Sequence, residues 1–393
     1  MPERNTMKKI QELQQVKGDA YDYYIAGNED TDLFEKIFLV DDIVEEICKP
    51  DKYFLIGEKG SGKTAYSVYM SKSDKINSFC SISLVENTLY QRFLNMKRQK
   101  ALELSSFKDV WINLIYLILA EKIRKEYGET FFSSMKYKQL SKAIDVFYSD
   151  AFKPEFVNAF EFVDNASASI NSMMKQGLFS TGTKASAETS QKYVEQSFQI
   201  SLLKIRDGFE KAFMSVNLKK PTILFVDGID ARPRDIDNEQ YFECLVGLVN
   251  AVLEMNQSFL KEKQIKIMLL IRPDIMYKMP VHNMNQKLRN NSVLLNWVTS
   301  YRKYIDSKLF KIADDYFMKQ QDYSYELGEC WNYYFPYKVE YQEKRKAPDN
   351  PFVEFLRYSL YKPRDILTML NEMVDATSGT QFKPVSYTHL RAQ

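Results

Sequence analysis

Short, almost wholly apolar runs recur along the chain and are bounded by polar or turn-forming residues. They cover residues 53–56, 79–84, 223–226, 265–271 and, more weakly, 293–295. Runs of this length and character are typical of strands that are buried on both faces of a parallel sheet. The sequence therefore predicts a set of buried strands whose order along the chain begins near residue 53.

Longer stretches between these runs carry apolar residues at helical spacing. They predict helices at about 30–47, 64–70, 106–123 and 239–255, and a mostly helical region from 298 to 373. Residues up to about 27 are expected to form an amphipathic helix and a tyrosine-rich turn, and Gly128 is expected to stop the third helix. Strands that alternate with helices predict an α/β fold with a parallel sheet covered on both faces.

Composition adds constraints but no function. The 393 residues include 54 Lys and Arg against 52 Asp and Glu, so the clustered basic excess of a nucleic-acid surface is not evident and a nucleic-acid partner stays open. The four cysteines are scattered and there are two histidines, which disfavours disulfide frameworks, metal clusters and histidine-based catalysis. The longest apolar run, 110–120, is too short to span a bilayer, so we expect a cytoplasmic protein without membrane contact.

The strongest chemical signal is one eight-residue motif. It comprises Gly57, Glu58, Lys59, Gly60, Ser61, Gly62, Lys63 and Thr64, a full G-x-x-x-x-G-K-[ST] match between a predicted strand and a predicted helix. Glycines allow main-chain N–H groups to surround phosphate oxygens, and the following helix directs its positive end at the anion. Lys63 is expected to reach the β- and γ-phosphates of ATP and Thr64 to hold Mg²⁺; the alternative is a glycine-rich turn that binds nothing.

A second signal lies at the end of the apolar run 223–226. Asp227 follows this strand directly, the position from which a carboxylate holds the water shell of magnesium beside a phosphate loop. Asp230 lies just beyond and is the candidate catalytic base that polarises the attacking water. A carboxylate in that place can also cap a helix, so both interpretations stay open.

With these motifs the chain resembles bacterial P-loop ATPases of the AAA+/STAND-like (ASCE) division, of the kind often associated with defence systems. The resemblance covers Phe38 to about Met373 and implies a P-loop NTPase three-layer sandwich with a C-terminal helical lid. It also implies a polar sensor after a further strand, matched by Arg272, and a lid arginine that reads the nucleotide, matched by Arg364. Ordinary salt bridges are the alternative for both arginines.

The resemblance also sets the expected organisation of the chain. We expect a helical lead at 1–47, a core at 48–297 with a helical insertion at about 86–219, a lid at 298–384, and a tail at 385–393 that resembles a translated sequencing adapter. Trp297 and Tyr301, spaced as one helix face, are expected to pack the lid on the core.

Three functions fit these features. The first is an ATP-driven conformational switch that hydrolyses ATP slowly, acting as a homo-oligomer or with a partner protein. The second is a non-hydrolysing, nucleotide-dependent scaffold, which Gly228 supports because many AAA+ members have Glu directly after the magnesium Asp. The third is a small-molecule phosphotransferase, which the large insertion and the Arg364 lid disfavour. Arg232 and Arg234 are candidate arginine fingers, although loop arginines are usually solvated.

Overall fold

The computed structural model describes residues 7–25, 32–85, 107–132, 137–150, 202–229, 238–279, 284–339 and 349–384. Its strands are β1 (Phe54–Ile56), β2 (Phe79–Leu84), β3 (Thr222–Asp227), β4 (Ile265–Ile271) and β5 (Ser292–Leu294). Its α-helices are α1 (Tyr21–Ile25), α2 (Asp32–Ile37), α3 (Asp42–Cys48), α4 (Lys63–Lys72), α5 (Phe107–Phe132), α6 (Lys138–Asp150), α7 (residues 202–215), α8 (Asn238–Asn256), α9 (Pro273–Lys278), α10 (Met284–Asn291), α11 (Lys308–Met318), α12 (Glu329–Tyr334), α13 (Pro351–Ser359) and α14 (Pro363–Ala376).

The five strands form one sheet in the order β2-β3-β4-β1-β5. The pairings β2–β3, β3–β4 and β4–β1 are parallel, with Val226 opposite Leu269 and Ile56 opposite Ile271. The carboxyl ends of β1, β3 and β4 therefore share one edge of the sheet. The predicted α/β class with a parallel sheet is confirmed, and the predicted strands lie within a residue of their observed bounds.

Burial on both faces explains why these runs become strands. Every residue of β3 and β4 is buried, including Lys266, whose stem crosses the apolar interior. The Lys266 ammonium donates to the carbonyl oxygens of Ile47 and, at 2.8 Å, Lys49, so it binds the carboxyl end of α3. Burial lowers the pKa of Lys266 to about 8.

Two long helices, α5 and α8, pack against each other beside the sheet. A Cβ at Gly247 would lie 2.6 Å from the Cβ of Phe107, so only glycine permits this approach. Trp111 on α5 donates its indole N–H to the carbonyl of Cys244 at 3.0 Å. At Gly128, the predicted stop, the chain leaves helical geometry with φ 74° and ψ 169°, but helix resumes beyond it to Phe132, so α5 is kinked there rather than ended.

The chain divides into two compact units. The sheet unit comprises Ile47–Ile56 and Lys75–Val293, and the loop–lid unit comprises Met1–Glu46, Gly57–Asp74 and Leu294–Gln393. Packing rather than sequence order sets this division, since the loop–lid unit gathers three separate stretches.

Aromatic side chains fill the interior of the loop–lid unit. Trp331 is fully buried and stacks on Phe335 at 4.2 Å, with Phe352 meeting its ring edge to face at 5.3 Å. The buried carboxylate of Asp314 accepts main-chain N–H groups of Gly328 at 2.7 Å and Trp331 at 2.8 Å, which caps the start of α12.

The N-terminal segment differs from its prediction. Residues 7–17 are extended except for one 3₁₀ turn at Ile10–Glu12, and the amphipathic helix predicted there was wrong. Ile10, Leu13 and Val16 are buried at a spacing of three, which suits an extended chain with three residues per turn as well as a helix. We call residues 7–20 the strap.

Within the described ranges, no helix combines the length with the apolar character that crossing a bilayer requires.

Candidate phosphate-binding site

The motif at residues 57–64 forms a glycine-rich loop that leads directly into α4. Gly60 and Gly62 both adopt left-handed backbone conformations, with φ of 83° and 93°. Side chains rarely tolerate this geometry, and turns built this way direct main-chain N–H groups into anion-binding concavities. Gly62 is the N-cap residue of α4, so the helix begins at Lys63 as the motif predicts.

Two polar side chains of the loop face inward. Lys63 is buried, and its ammonium donates to the carbonyl oxygens of Gly57 at 2.8 Å and Glu58 at 3.3 Å. Ser61 is also buried, and its hydroxyl has no hydrogen-bond partner among the described residues. A Cβ at Gly57 would collide with this hydroxyl, so the first glycine of the motif leaves room for Ser61.

Arg364 lies against the loop. Its main-chain N–H donates to the carbonyl of Gly60 at 3.3 Å, and a Cβ built at Gly60 would stand 3.3 Å from its Nη2. The side chain is 44% exposed and its Nε lies 3.7 Å from the Asp365 carboxylate. The structure thus brings the predicted lid arginine to the phosphate loop, and its glycine contact shows a second reason why residue 60 has no side chain.

Trp297 is a contact that sequence reasoning missed. Its indole N–H donates to the carbonyl of Ser61 at 2.9 Å, so it holds the phosphate loop directly. It lies in a non-helical stretch and Tyr301 begins a 3₁₀ helix (Tyr301–Asp306), so the helix face predicted for the two was wrong. No local signal distinguishes a tryptophan that bonds a distant carbonyl from one that packs.

A second contact network ties α4 to the lid helix α11. Tyr66 on α4 donates its hydroxyl to Asp41 at 2.9 Å, and the same carboxylate accepts from Lys308 of α11 at 2.7 Å. Burial lowers the pKa of Lys308, but its bonds to Asp41 and Asp42 outweigh burial and raise it. The helix that starts at the phosphate loop is thereby anchored to the lid through one carboxylate.

A cavity of about 170 Å³ opens beside the loop and lies wholly within the loop–lid unit. Its lining combines strap residues 16–20, the aromatic rings Tyr23, Phe34 and Phe38, loop and helix residues Gly60 and 62–66, and the C-terminal residues Trp297, Arg364, Leu367 and Asn371. Its lining is cationic at Lys63 and Arg364 and aromatic at Tyr23, Phe34 and Phe38, and it also includes the polar residues Lys17, Asp19, Thr368 and Asn371. That combination suits a ligand with an anionic end and a flat, apolar end.

Asp227 ends β3 at the sheet edge that β1 and β4 share. It is buried, and its carboxylate accepts the main-chain N–H of Gly228 at 2.7 Å. Gly228 has φ of 85°, and a Cβ there would stand 2.9 Å from the carbonyl oxygen of Val85. The backbone therefore demands glycine at the position where a Glu would be expected from the resemblance.

Arg272 follows β4 at the same edge and is the N-cap residue of α9. Its guanidinium forms a two-point ion pair with Asp274, at 3.0 Å from Nε and 2.8 Å from Nη2. This is the salt bridge that the sequence left open as the alternative to a sensor, and the sensor role stays a prediction.

Some predicted residues cannot be placed. Asp230, Arg232 and Arg234, together with much of the predicted insertion at 86–219, lie outside the described residues. The proposed base and the candidate arginine fingers therefore stay predictions.

The described loop residues fit a polyphosphate. The two left-handed glycines and Lys63 line one small cavity, and the buried hydroxyl of Ser61, between them in the loop, has no hydrogen-bond partner among the described residues. For a metal ion the donors are few: no group of three or more His, Cys, Asp or Glu side chains gathers in the described part of the chain.

Comparison with known proteins adds nothing to this picture, since no family model, curated protein or solved structure matches the chain.

Proposed function

We propose that this protein binds ATP in the cavity of the loop–lid unit and acts as a nucleotide-driven conformational switch with slow ATPase activity. The observation that carries the proposal is the cavity itself, which joins the motif loop, Lys63 and Arg364 to an apolar, aromatic wall. Under this proposal the fold is a P-loop NTPase three-layer sandwich with a helical lid.

Different described residues contact the phosphates and the nucleoside of the nucleotide. Main-chain N–H groups of the loop donate to the phosphates and the Lys63 ammonium offsets part of their charge; the Ser61 hydroxyl, which has no partner among the described residues, is a further donor in the loop. Tyr23, Phe34 and the strap form the wall for the nucleoside. Arg364 lies where it can sense the terminal phosphate, since it touches Gly60.

Magnesium, when bound, would offset the charge of the phosphates and orient them. The hydroxyl of Thr64, at the start of α4, is the ligand that the loop supports. The prediction that Asp227 completes the magnesium site stands on the sequence alone, as does Asp230 as the base.

The contacts around the loop explain how a switch could work. Arg364 and Trp297 contact the loop from lid segments, and Asp41 joins α4 to α11. A change in phosphate occupancy would therefore change the contacts on which the lid depends. A ligand shifts such an equilibrium by as much as its affinities for the two states differ.

A non-hydrolysing scaffold is the second candidate, and Gly228 favours it. Because the backbone there requires a left-handed glycine, no carboxylate can follow Asp227 directly. If Asp230 is not a base, nucleotide would serve as a structural ligand.

Calorimetric titration with Mg-ATP tests the first step. Wild-type protein should bind, and Lys63→Ala should lose at least tenfold in affinity, because a charged hydrogen bond contributes ~1.5–3 kcal/mol. Lys59→Ala is the matched control, since Lys59 is an exposed lysine of the same loop and should bind normally. Equal loss in both variants, or no binding by wild type, would refute nucleotide binding in this loop.

Phosphate release separates the switch from the scaffold. If the protein hydrolyses ATP with Asp230 as the catalytic base, Asp230→Asn should retain ATP affinity and lose hydrolysis. Wild-type release no faster than in Lys63→Ala would favour the scaffold.

A further inference from the structure

The strap is held by side-chain amides rather than by a neighbouring strand. The amide of Gln320, which follows α11, accepts the Gln14 N–H at 2.6 Å and donates to the Gln14 carbonyl at 3.3 Å. Asn371, on α14, accepts the Val16 N–H at 3.2 Å and donates to the Val16 carbonyl at 2.6 Å. Alternate strap residues are thus bonded through both main-chain groups, as they would be beside another strand.

Both amides are also held by contacts outside the strap. Gln320 is buried and its Nε2 also donates to the carbonyl of Tyr316 at 2.7 Å. Asn371 accepts the hydroxyl of the same tyrosine at 3.1 Å. Tyr316 is fully buried on α11, so one anchored residue orients both members of the amide clamp, by which we mean Gln320 and Asn371.

The clamped residues lead straight into the wall of the cavity. Residues 16–20 line it, so Val16 is both bonded by the clamp and part of the lining. The Lys17 N–H donates to the Tyr23 hydroxyl at 2.5 Å, which fixes a wall residue of α1 to the strap. Gln320 does not itself line the cavity, so any effect it has on a ligand there acts through the strap.

We propose that Gln320 and Asn371 are positioning residues that couple docking of the strap to binding of the nucleoside end of the nucleotide. This inference rests on the proposed function. When the strap is bonded by Gln320 and Asn371, the cavity wall that faces the nucleoside is already formed. When these bonds are lost, nucleotide binding must first order residues 14–20, so the protein binds the nucleotide more weakly. The phosphate loop, held by its own contacts, keeps its affinity for phosphates.

Gln320→Ala tests the coupling, with Gln321→Ala as the matched control. Gln321 is the next glutamine and bonds the strap at the Lys8 N–H, 2.9 Å away, well before the cavity wall begins. Loss of two neutral hydrogen bonds should weaken ATP and ADP binding about tenfold in Gln320→Ala. Tripolyphosphate, which has no nucleoside, should bind Gln320→Ala and wild type equally, and Gln321→Ala should bind ATP normally.

Hydrogen exchange measured by mass spectrometry gives a second readout, in wild-type protein and in Gln320→Ala. In wild-type protein, ATP should slow exchange of peptides covering residues 13–20, and tripolyphosphate should not. In Gln320→Ala without ligand, the same peptides should exchange faster while peptides from α14 keep their protection, which excludes general unfolding.

The outcomes are separable. ATP binding that is equally strong in Gln320→Ala, or a tripolyphosphate affinity that falls as far as that for ATP, would overturn the coupling and leave the proposed function standing. Wild-type protein that binds tripolyphosphate and ATP equally well would also overturn the coupling. Failure of wild type to bind either ligand would refute the proposed function and the coupling with it.

Discussion

Arg364 offers the sharpest test of how the lid senses the nucleotide. Arg364→Ala removes the guanidinium that lies over Gly60 but keeps the main-chain N–H bond to the Gly60 carbonyl. The variant therefore separates the charge of the side chain from the packing of the lid on the loop. If Arg364 reads the terminal phosphate, ATP should bind more weakly and ADP should bind as before.

The size of the effect follows from exposure. Hydrogen bonds to charged groups contribute ~1.5–3 kcal/mol, and partial exposure moves such a bond toward the lower end because solvent screens it. The Arg364 side chain is 44% exposed, and Asp365 already lies 3.7 Å from its Nε. We therefore expect about 1.5 kcal/mol, or about tenfold in the Kd for ATP.

Calorimetry with Mg-ATP and Mg-ADP measures both affinities. Arg357→Ala is the control, because Arg357 is a lid arginine of α13 that stacks 5.1 Å over the Tyr301 ring and does not belong to the lining of the cavity described here. Raised salt should shrink the difference between wild type and Arg364→Ala. A parallel loss of ATP and ADP affinity, or no loss of either, would show that Arg364 does not read the terminal phosphate.

Two further predictions concern the sheet unit. Gly228→Ala should lower the free energy of unfolding by about 1–2 kcal/mol, because φ is 85° and the added Cβ meets the Val85 carbonyl at 2.9 Å. Gly208→Ala is the control: Gly208 lies on helix α7 with open space around it, so this variant should raise the free energy of unfolding by ~0.5–1 kcal/mol. Denaturant titration measures both changes, and equal effects would show that a side chain at residue 228 causes no backbone strain. The pKa of Lys266 is about 8 in the folded protein, below its value in the unfolded chain. Between these two pKa values the unfolded state binds more protons than the folded state, so the Lys266 contribution to stability increases as the pH rises above 8. Burial raises the pKa of Cys80 to about 12, so the Cys80 contribution to stability changes with pH in the opposite direction. The quantity to measure is therefore the free energy of unfolding of wild type minus that of Lys266→Met, which should increase between pH 8 and 9.5. A difference that does not change with pH would refute the prediction.

Local patterns allowed the parallel sheet, and the glycine-rich loop that leads into α4, to be predicted from sequence. Buried strands need an unbroken apolar run, and a phosphate loop needs glycines at fixed spacing, so each is encoded within a few residues. Arg364 was also predicted, because Lys362-Pro363 opens a helix at the place that the resemblance implies. The structure places it at Gly60.

Contacts between distant residues could not be predicted. The strap was expected to be helical because buried positions three apart fit a helix, yet its main chain is bonded by Gln320, which lies 306 residues from Gln14. Trp297 and Asp41 contact the loop and α4 through partners that no periodic pattern identifies. At Gly228 the sequence showed a departure from the AAA+ proteins that the chain resembles, many of which have Glu there, and only the backbone geometry explains it.

The cavity draws its walls from both ends of the chain, and this has a consequence for biosynthesis. Translation delivers Gly60 about 300 residues before Arg364, an interval of roughly 15–60 s at ordinary elongation rates. For most of that time the nascent loop lacks Trp297 and Gln320, and until its end it lacks α14 with Asn371. Ribosome-bound intermediates therefore hold a glycine-rich turn without its enclosure, and the enclosure can form only after Asn371 has been synthesised.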